Sequence, residues 1–272
     1  MVTTNQQTKK NLKLSIQVSL DGLSFCILDT KQEEIIFLKK VDFDRQLDPV
    51  KILQKIDREY QNEKPLQEAV DEITLIFDNP LYTLVPSRLF TEEQASNYLK
   101  FNTRILKTDF IAHDEIEVAK TVCVYIPYTN IINYFFDRYG EFEYKHSISV
   151  LLETLLKKEK NNSPSVYLYN KLGGYDLVVI EGGKLIFCNS FKYETPEDFL
   201  YYILFTAEQL NLNPEKFDLQ LFGYISEESD LFQLAYHYIK NISISNFGTN
   251  YAIKNQIEKK EAEAEFVLLN SF

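Results

Sequence analysis

The chain has 272 residues, 45% hydrophobic and 25% charged, a length and balance that suit one large or two medium cores. Its formal net charge of −11 excludes a surface built mainly to grip nucleic-acid phosphates, which takes clustered Lys and Arg. No run approaches the roughly 20 apolar residues of a membrane span, and Met1–Lys10 lacks the apolar stretch of a signal peptide, so residues 1–11 read as a disordered tail on a cytoplasmic protein with no direct membrane insertion.

Leu12–Ser19 is a first strand, with Leu12, Leu14, Ile16 and Val18 alternating at period two. Leu23–Leu28 and Glu34–Phe43 continue it as an antiparallel meander. The span Asp48–Tyr60 has Pro49 at the first helical position and Val50, Leu53, Ile56 and Tyr60 on one stripe, which predicts a helix. After a polar connection, Ile73–Phe77 is the short continuous apolar run of a buried parallel strand. These elements make residues 12–80 a first lobe.

From residue 81 the pattern changes. Leu81–Val85 reads as a strand, and Thr91 with Gln94 three residues on forms a capping-box start for a helix through about Phe101. Asp109–Ala112 and Ala119–Ile126 read as two further strands, followed by a helix with Ile131, Ile132, Phe135, Phe136 and Tyr139 on one face. Residues 81–144 are therefore expected to be an inserted strand–helix–strand–strand subdomain with its following helix. Residues 145–163 form a connecting helix around Ile148–Leu156, then the linker Lys157–Ser163, in which charge and turn residues carry no apolar anchor. Residues 164–253 form a second lobe. In the tail, 254–272, a charge-rich stretch ends in Phe266-Val267-Leu268-Leu269, a solvated helix or strap whose apolar end docks within the chain in preference to a partner.

The second half re-reads the first. Leu20–Asp29 lines up with Leu172–Glu181 at a constant offset of 152. Ile35-Ile36-Phe37 then meets Leu185-Ile186-Phe187, and Val41-Asp42-Phe43 meets Phe191-Lys192-Tyr193, after a turn two residues shorter. Each copy runs on through a Pro-marked helix start, Asp48-Pro49 or Thr195-Pro196, and ends in an apolar strand, Ile73–Phe77 or Leu219–Phe222. Two such units of three strands, helix and strand face one another across a cleft.

Other chemistry-bearing residues form no sharp motif. Cys26, Cys123 and Cys188 are odd in number and set among apolar strand residues, as buried free thiols would be. His113-Asp114-Glu115 and Glu141-x-Glu143-x-x-His146 hold metal-capable groups without a zinc-like pair of His or Cys, so no metal site is assigned, and His146 is expected at a helix N-terminus near the domain junction. Gly173-Gly174 and Gly182-Gly183 are hairpin-turn signals before they are phosphate contacts.

The duplicated unit resembles the actin, heat-shock-chaperone and sugar-kinase superfamily, whose members duplicate a ribonuclease H-like unit around a nucleotide cleft. The segment Cys123-Val-Tyr-Ile-Pro-Tyr-Thr-Asn-Ile-Ile-Asn-Tyr-Phe-Phe-Asp-Arg-Tyr-Gly140 is similar to the strand, helix and glycine turn of the PilM and FtsA branch, in which a strand–helix–strand–strand subdomain interrupts the first half. Over about residues 12–245 the chain looks most like a Bacteroidota family described by its actin-like ATPase fold. The resemblance implies an α/β fold of two lobes around a cleft, and three nucleotide loops. In the first, Ser19 stands where an Asp would position the phosphate-bound metal, with Asp21 and Gly22 beyond it. In the second, Tyr169-Asn170-Lys171-Leu172-Gly173-Gly174-Tyr175-Asp176 replaces Asp-x-Gly-Gly-Gly-Thr: the leading carboxylate has become Tyr or Asn, and Tyr175 takes the hydroxyl position. The third, Leu221-Phe222-Gly223-Tyr224, keeps one Gly of a Gly-Gly pair.

The residues that would hold a nucleotide are thus Ser19, Asp21, Gly22, Gly173, Gly174, Asp176 and Gly223, with no catalytic residue among them. Metal-assisted phosphoryl transfer needs charge neutralisation and positioning together, and these loops retain neither set of groups. The leading expectation is a cytoplasmic scaffold that engages another protein through the insert. The alternative is an ATPase or small-molecule kinase binding ATP with magnesium, with Asp21 and Asp176 near the metal.

Overall fold

The computed structural model describes residues 10–106, 108–159 and 161–272, so residues 1–9 of the expected N-terminal tail lie outside the description. The last two residues of that expected tail, Lys10 and Asn11, are held: their backbone N–H groups donate to the two carboxylate oxygens of Asp71.

Strands β1 (Leu12–Val18), β2 (Gly22–Asp29) and β3 (Glu34–Asp42) form the antiparallel meander. Helix α1 (Pro49–Asn62) crosses back so that β4 (Glu72–Phe77) runs parallel to β1. The second copy repeats this with β9 (Ser165–Lys171), β10 (Gly174–Glu181), β11 (Lys184–Phe191), α5 (Pro196–Gln209) and β12 (Asp218–Gly223). Between the copies lie β5 (Tyr82–Pro86), α2 (Ala95–Leu99), β6 (Ala112–Ile116), β7 (Thr121–Tyr125), α3 (Thr129–Tyr139), β8 (Glu143–His146) and α4 (Ser147–Lys158). After β12 come α6 (Asp230–Tyr238), β13 (Asn241–Ile244), β14 (Ala252–Ile253), α7 (Lys259–Ala264) and α8 (Phe266–Leu269). The sheets run β14-β3-β2-β1-β4-β8, β11-β10-β9-β12-β13 and β5-β7-β6.

The repeat is kept down to single residues. Leu14 faces Ile27 as Val166 faces Val179, preserving the offset. A β-bulge interrupts β2–β3 between Ile27 and Leu28, and another interrupts β10–β11 between Val179 and Ile180, leaving Ile36 and Ile186 as the extra residues. Helices α1 and α5 are each 14 residues long with Pro in the first turn. The Asp48 side chain accepts from Lys51 N, and Thr195 forms a capping box with Asp198.

Period-two alternation in the second lobe divides its side chains between two cores. Val166, Leu168, Tyr175, Leu177 and Val179 pack with Phe199 and Ile203 of α5. Tyr167, Tyr169, Val178 and Ile180 turn the other way and join the core of the first lobe. The lobes are therefore in direct apolar contact at the floor of the cleft.

Four local expectations change. The capping box at Thr91 does not form. Its N–H donates to Tyr98 OH at 3.3 Å, residues Glu92–Gln94 make a 3-10 turn, and α2 is one short turn with only Ala95 and Leu99 buried. The β6 strand begins at Ala112, because Asp109 accepts from Leu106 N at 2.7 Å and closes a turn ahead of it. Helix α3 and strand β8 belong with the first lobe: β8 pairs with β4, and Asn130 Nδ2 donates to Pro49 O at 2.8 Å. Lys157 and Lys158 of the expected linker are the last turn of α4, where Lys158 Nζ donates to Phe247 O at 2.7 Å.

The C-terminal segment docks within the chain. Helix α7 lies against β12 of the second lobe, and α8 against β1, β2 and α4 of the first. Phe266, Val267, Leu268 and Leu269 are buried, and Ser271 Oγ meets Ser15 Oγ at 2.6 Å. Leu268→Ala is expected to lower the unfolding free energy by about 2–5 kcal/mol in urea titration, the range for a leucine truncated in a packed core. A loss below about 1 kcal/mol would mean that the segment is peripheral. Among the described residues, no helix is long and apolar enough to cross a membrane.

Candidate functional site

The β1–β2 and β9–β10 turns meet at the mouth of the cleft and interlock. A Cβ on Gly173, at φ +78°, would stand 2.7 Å from Asp21 Oδ2, and one on Gly22 would stand 3.0 Å from Leu172 Cδ1 and 2.9 Å from Val41 O. Each turn thus presents a side chain to the other's glycine, a close approach that a residue with a Cβ would block. Asp21 Oδ2 also accepts from Gln46 Nε2 at 3.1 Å. Ser19 is spent inside its own turn: its Oγ accepts from Asp21 N at 3.1 Å and Gly22 N at 2.9 Å and donates to Gly22 O at 3.1 Å. Gly174 and Gly223 are equally confined, since a Cβ would stand 2.2 Å from Phe191 O and 2.1 Å from Asn170 O respectively.

The strand register corrects the placement of the missing carboxylate. Because Leu14 matches Val166, the residue matching Ser19 is Lys171, rather than Tyr169 or Asn170. A cation stands where the resemblance implies a metal-positioning carboxylate. Lys171 Nζ lies 2.5 Å from Asp78 Oδ1 and 2.8 Å from Asp176 Oδ2, with only 13% of the lysine side chain exposed. Asp78 is supplied by the end of first-lobe strand β4, and Lys171 and Asp176 by second-lobe strands, so the ion cluster ties lobe to lobe.

Hydroxyl groups hold the carboxylates. Ser147 Oγ donates to Asp78 Oδ1 at 3.0 Å, and Ser190 Oγ donates to Asp176 Oδ1 at 2.5 Å while pairing with Tyr82 OH at 2.9 Å. Burial works against the Lys171 ammonium, but Asp176 and Asp78 outweigh it and hold the pKa above the ordinary lysine range. Burial, with the neighbouring charge of Asp78, raises Asp176, and Lys171 and Ser190 pull it back only in part.

His146 backs the cluster as the N-cap of α4. Its Nε2 lies 3.0 Å from Asn79 O, which can only accept, and its Nδ1 accepts from Ile148 N at 3.2 Å. Both nitrogens are therefore satisfied in the neutral tautomer with the proton on Nε2. Burial, aided by the Lys171 charge and opposed by Asp78, pushes its pKa down to about 4. Asp114, one of the metal-capable residues in the sequence, is turned inward: it accepts from His146 N at 2.8 Å, Ser149 Oγ at 2.6 Å and Tyr125 OH at 3.0 Å, clamping the insert to α4.

The far side of the cleft is filled by aromatic rings and the C-terminal segment. Tyr169 stacks on Phe222 at 5.2 Å, and Phe266 stands against Phe222 at 5.0 Å. Tyr224 OH donates to the buried Glu265 carboxylate, and Lys40 Nζ lies 3.6 Å over the Tyr224 ring. The cleft holds a cavity of about 20 Å³ beside Ser24, Lys40 and Glu265 and one of about 90 Å³ beside Asp21, Gly173 and Lys192. A cavity needs roughly 10–15 Å³ to admit one water and each further water takes about 30 Å³, so these hold about one water and about three.

Of the residues singled out in the sequence, Ser19, Asp21, Gly22, Gly173 and Gly174 line these cavities. Asp176 is buried behind Lys171, and Gly223 is packed under Tyr169. The residues not anticipated are Asp78, Lys171 and Glu265. Carrying the repeat one residue back from Leu172 would have reached Lys171, and the Asp-Asn-Pro that ends the apolar run Ile73–Phe77 marks Asp78 at the carboxyl end of a central strand.

The profile of a family described as "Protein of unknown function (DUF3822)" matches residues 2–242. The chain belongs to the DUF3822 family. This DUF3822 protein is similar to a solved protein of Bacteroides thetaiotaomicron described as having an actin-like ATPase fold and unknown function. That match has a TM-score of 0.79 and 22% identity, covering 94% of this chain and 95% of the other. It is also similar to a chain of a PilM–PilN type IV pilus biogenesis complex, at a TM-score of 0.62 and 12% identity over 94% and 97% of the two chains. No curated protein matches it. At these identities the likeness establishes fold alone: the DUF3822 chain has the actin-like ATPase fold, as its internal repeat implies.

Proposed function

We propose that the chain is a non-catalytic actin-like protein that works in the cytoplasm as a protein-interaction scaffold, its cleft held shut by an internal cation instead of metal and nucleotide. The observation that carries this reading is the Lys171 ammonium between Asp78 and Asp176. The Lys171 ammonium already takes up one of the two negative charges those carboxylates could offer a metal, and a nucleotide-sized pocket of about 300 Å³ or more has no counterpart in the cleft, whose cavities measure about 20 and 90 Å³. A working ATPase would have to expel Lys171 and separate the interlocked turns before magnesium and triphosphate could enter.

Acidic composition points to a protein partner rather than nucleic acid. The insert supplies a surface for one: Leu89, Phe101, Leu106, Phe110 and Val118 are exposed there, Phe101 to 90%. Partner capture from native cytoplasm under mild salt is expected to be unaffected by ATP with magnesium and to be lost in the Phe101→Ser, Phe110→Ser variant. Undiminished capture by that variant would remove the insert from the proposal, and capture that requires ATP would favour a nucleotide-binding protein.

A further inference from the structure

The two repeats differ at one sheet edge. In the first lobe the edge strand β3 is covered by β14, which runs parallel to it, with Ala252 N donating to Glu33 O at 2.9 Å and Lys254 N to Ile35 O at 3.0 Å. In the second lobe the matching strand β11 has β10 on one side and, among the described residues, no strand on the other. Matching Ile35 to Leu185 places the equivalent acceptors at Gly183 O and Leu185 O, just ahead of the Ile186 bulge. The same backbone edge that the chain fills in one lobe is left open in the other, and such an edge is a template for an added strand.

The side chains around the open edge state what would fill it. Phe191 of β11 stacks on Tyr202 at 5.0 Å, Tyr202 meets Tyr201 at 5.3 Å, and Tyr201 stacks on Phe205 at 5.7 Å. This aromatic path climbs from the strand to the outer shoulder of α5, where Tyr201 and Phe205 are 58% and 45% exposed. Charge reverses at two matched positions, Glu34 and Asp42 of β3 against Lys184 and the strand-end Lys192 of the second lobe, while Lys39 and Lys40 of β3 match the uncharged Asn189 and Ser190 of β11. The strand added to β3 is followed by a basic residue, Lys254; the lysines beside β11 call for acidic ends. They also oppose self-pairing, since a two-fold pairing about Cys188 would set Lys184 against Lys192 of a second copy.

We propose that β11 is a docking edge for an extended, acidic-ended segment of a partner protein, added parallel to the strand through Gly183 O and Leu185 O with its apolar side chains on Tyr201 and Phe205. Main-chain hydrogen bonds supply the register, and the aromatic shoulder and two lysines supply the choice of partner. The inference rests on the reading of the chain as an interaction protein, but its test involves neither nucleotide nor the insert, so each can fail alone.

The test uses the full chain and a fluorescent synthetic peptide in which Val alternates with Thr between Glu-Asp ends, beside a second peptide with the same centre and Lys ends. Fluorescence anisotropy is expected to show the acidic-ended peptide binding about tenfold tighter or more. Lys184→Glu with Lys192→Glu should reverse that preference. Tyr201→Ser with Phe205→Ser should weaken both peptides about tenfold. All four side chains are exposed, so unchanged melting temperatures will show that the variants fold. The proposal is overturned by equal affinity for the two peptides, by no binding at millimolar peptide, or by a chain dimer in sedimentation that the lysine variants abolish.

Discussion

Lys171→Ala is expected to cost about 3–5 kcal/mol of stability, the range for breaking a buried ion pair and leaving its partner uncompensated. The loss follows from geometry: Asp78 and Asp176 both lie within 2.8 Å of the ammonium, and Asp176 is 1% exposed, so removing the cation strands two buried carboxylates. The same substitution should create a divalent-cation site. With Lys171 gone, the two carboxylates flank an opening where an ammonium had stood, and Mg²⁺ or Mn²⁺, which take oxygen ligands, fit that charge. Millimolar Mn²⁺ should restore part of the lost stability in the variant by mass action and leave the unsubstituted chain unaffected. A variant as stable as the original would mean that the ion cluster is not what holds the lobes together. A large loss with no metal effect would keep the structural role and remove the comparison with a metal.

The second large effect is the dependence of stability on pH through His146. Its folded pKa is about 4, against about 6.5 in an unfolded chain. Between those values the unfolded chain binds a proton that the folded one refuses. Its contribution is therefore complete above about pH 6.5, falls as the pH drops towards 4, and changes little below that. At 1.36 kcal/mol per unit the loss is about 3 kcal/mol. Asp78 and Lys171 face the ring with opposing effects, and Tyr82 and Tyr125 pack on it at 4.7 and 5.2 Å. Asp114, Asp176 and Glu265 act in the opposite sense, because burial raises their pKa values and the folded chain takes up their protons first as the pH falls. The decisive quantity is therefore the difference between the chain and His146→Gln, measured by urea titration at pH 7, 5.5 and 4. The stability advantage of the histidine chain should shrink across that range; an advantage independent of pH would contradict a buried neutral imidazole.

What could be read from the sequence was what depends on neighbours along the chain. Leu12, Leu14, Ile16 and Val18 alternate because successive side chains of a strand point to opposite faces and these four share the apolar one, and Pro49 and Pro196 mark helix starts because their fixed geometry suits the first turn. The repeat was visible because two copies of the same hairpin need the same apolar residues at the same spacing. The site was legible as a location and poorly as chemistry. Lys171 reads as a turn lysine until its partners arrive from β4 and β10, 93 and 5 residues away in the sequence. Thr91 and Gln94 match a capping box, yet the segment after them buries only Ala95 and Leu99, too little apolar surface to hold a longer helix. Lys259–Glu265 looks solvated because charges surround it, while Ala262 and Ala264 are small enough to lie against β12 and bring Glu265 into the cleft.

Isothermal titration calorimetry of the unaltered chain with ATP and Mg²⁺ tests most directly whether the internal cation has replaced the nucleotide. The expected result is no saturable heat up to millimolar ATP, with or without the metal. Saturable binding with a micromolar dissociation constant, lost in Asp21→Asn or Asp176→Asn, would contradict it, because those carboxylates would then be holding a metal instead of Lys171.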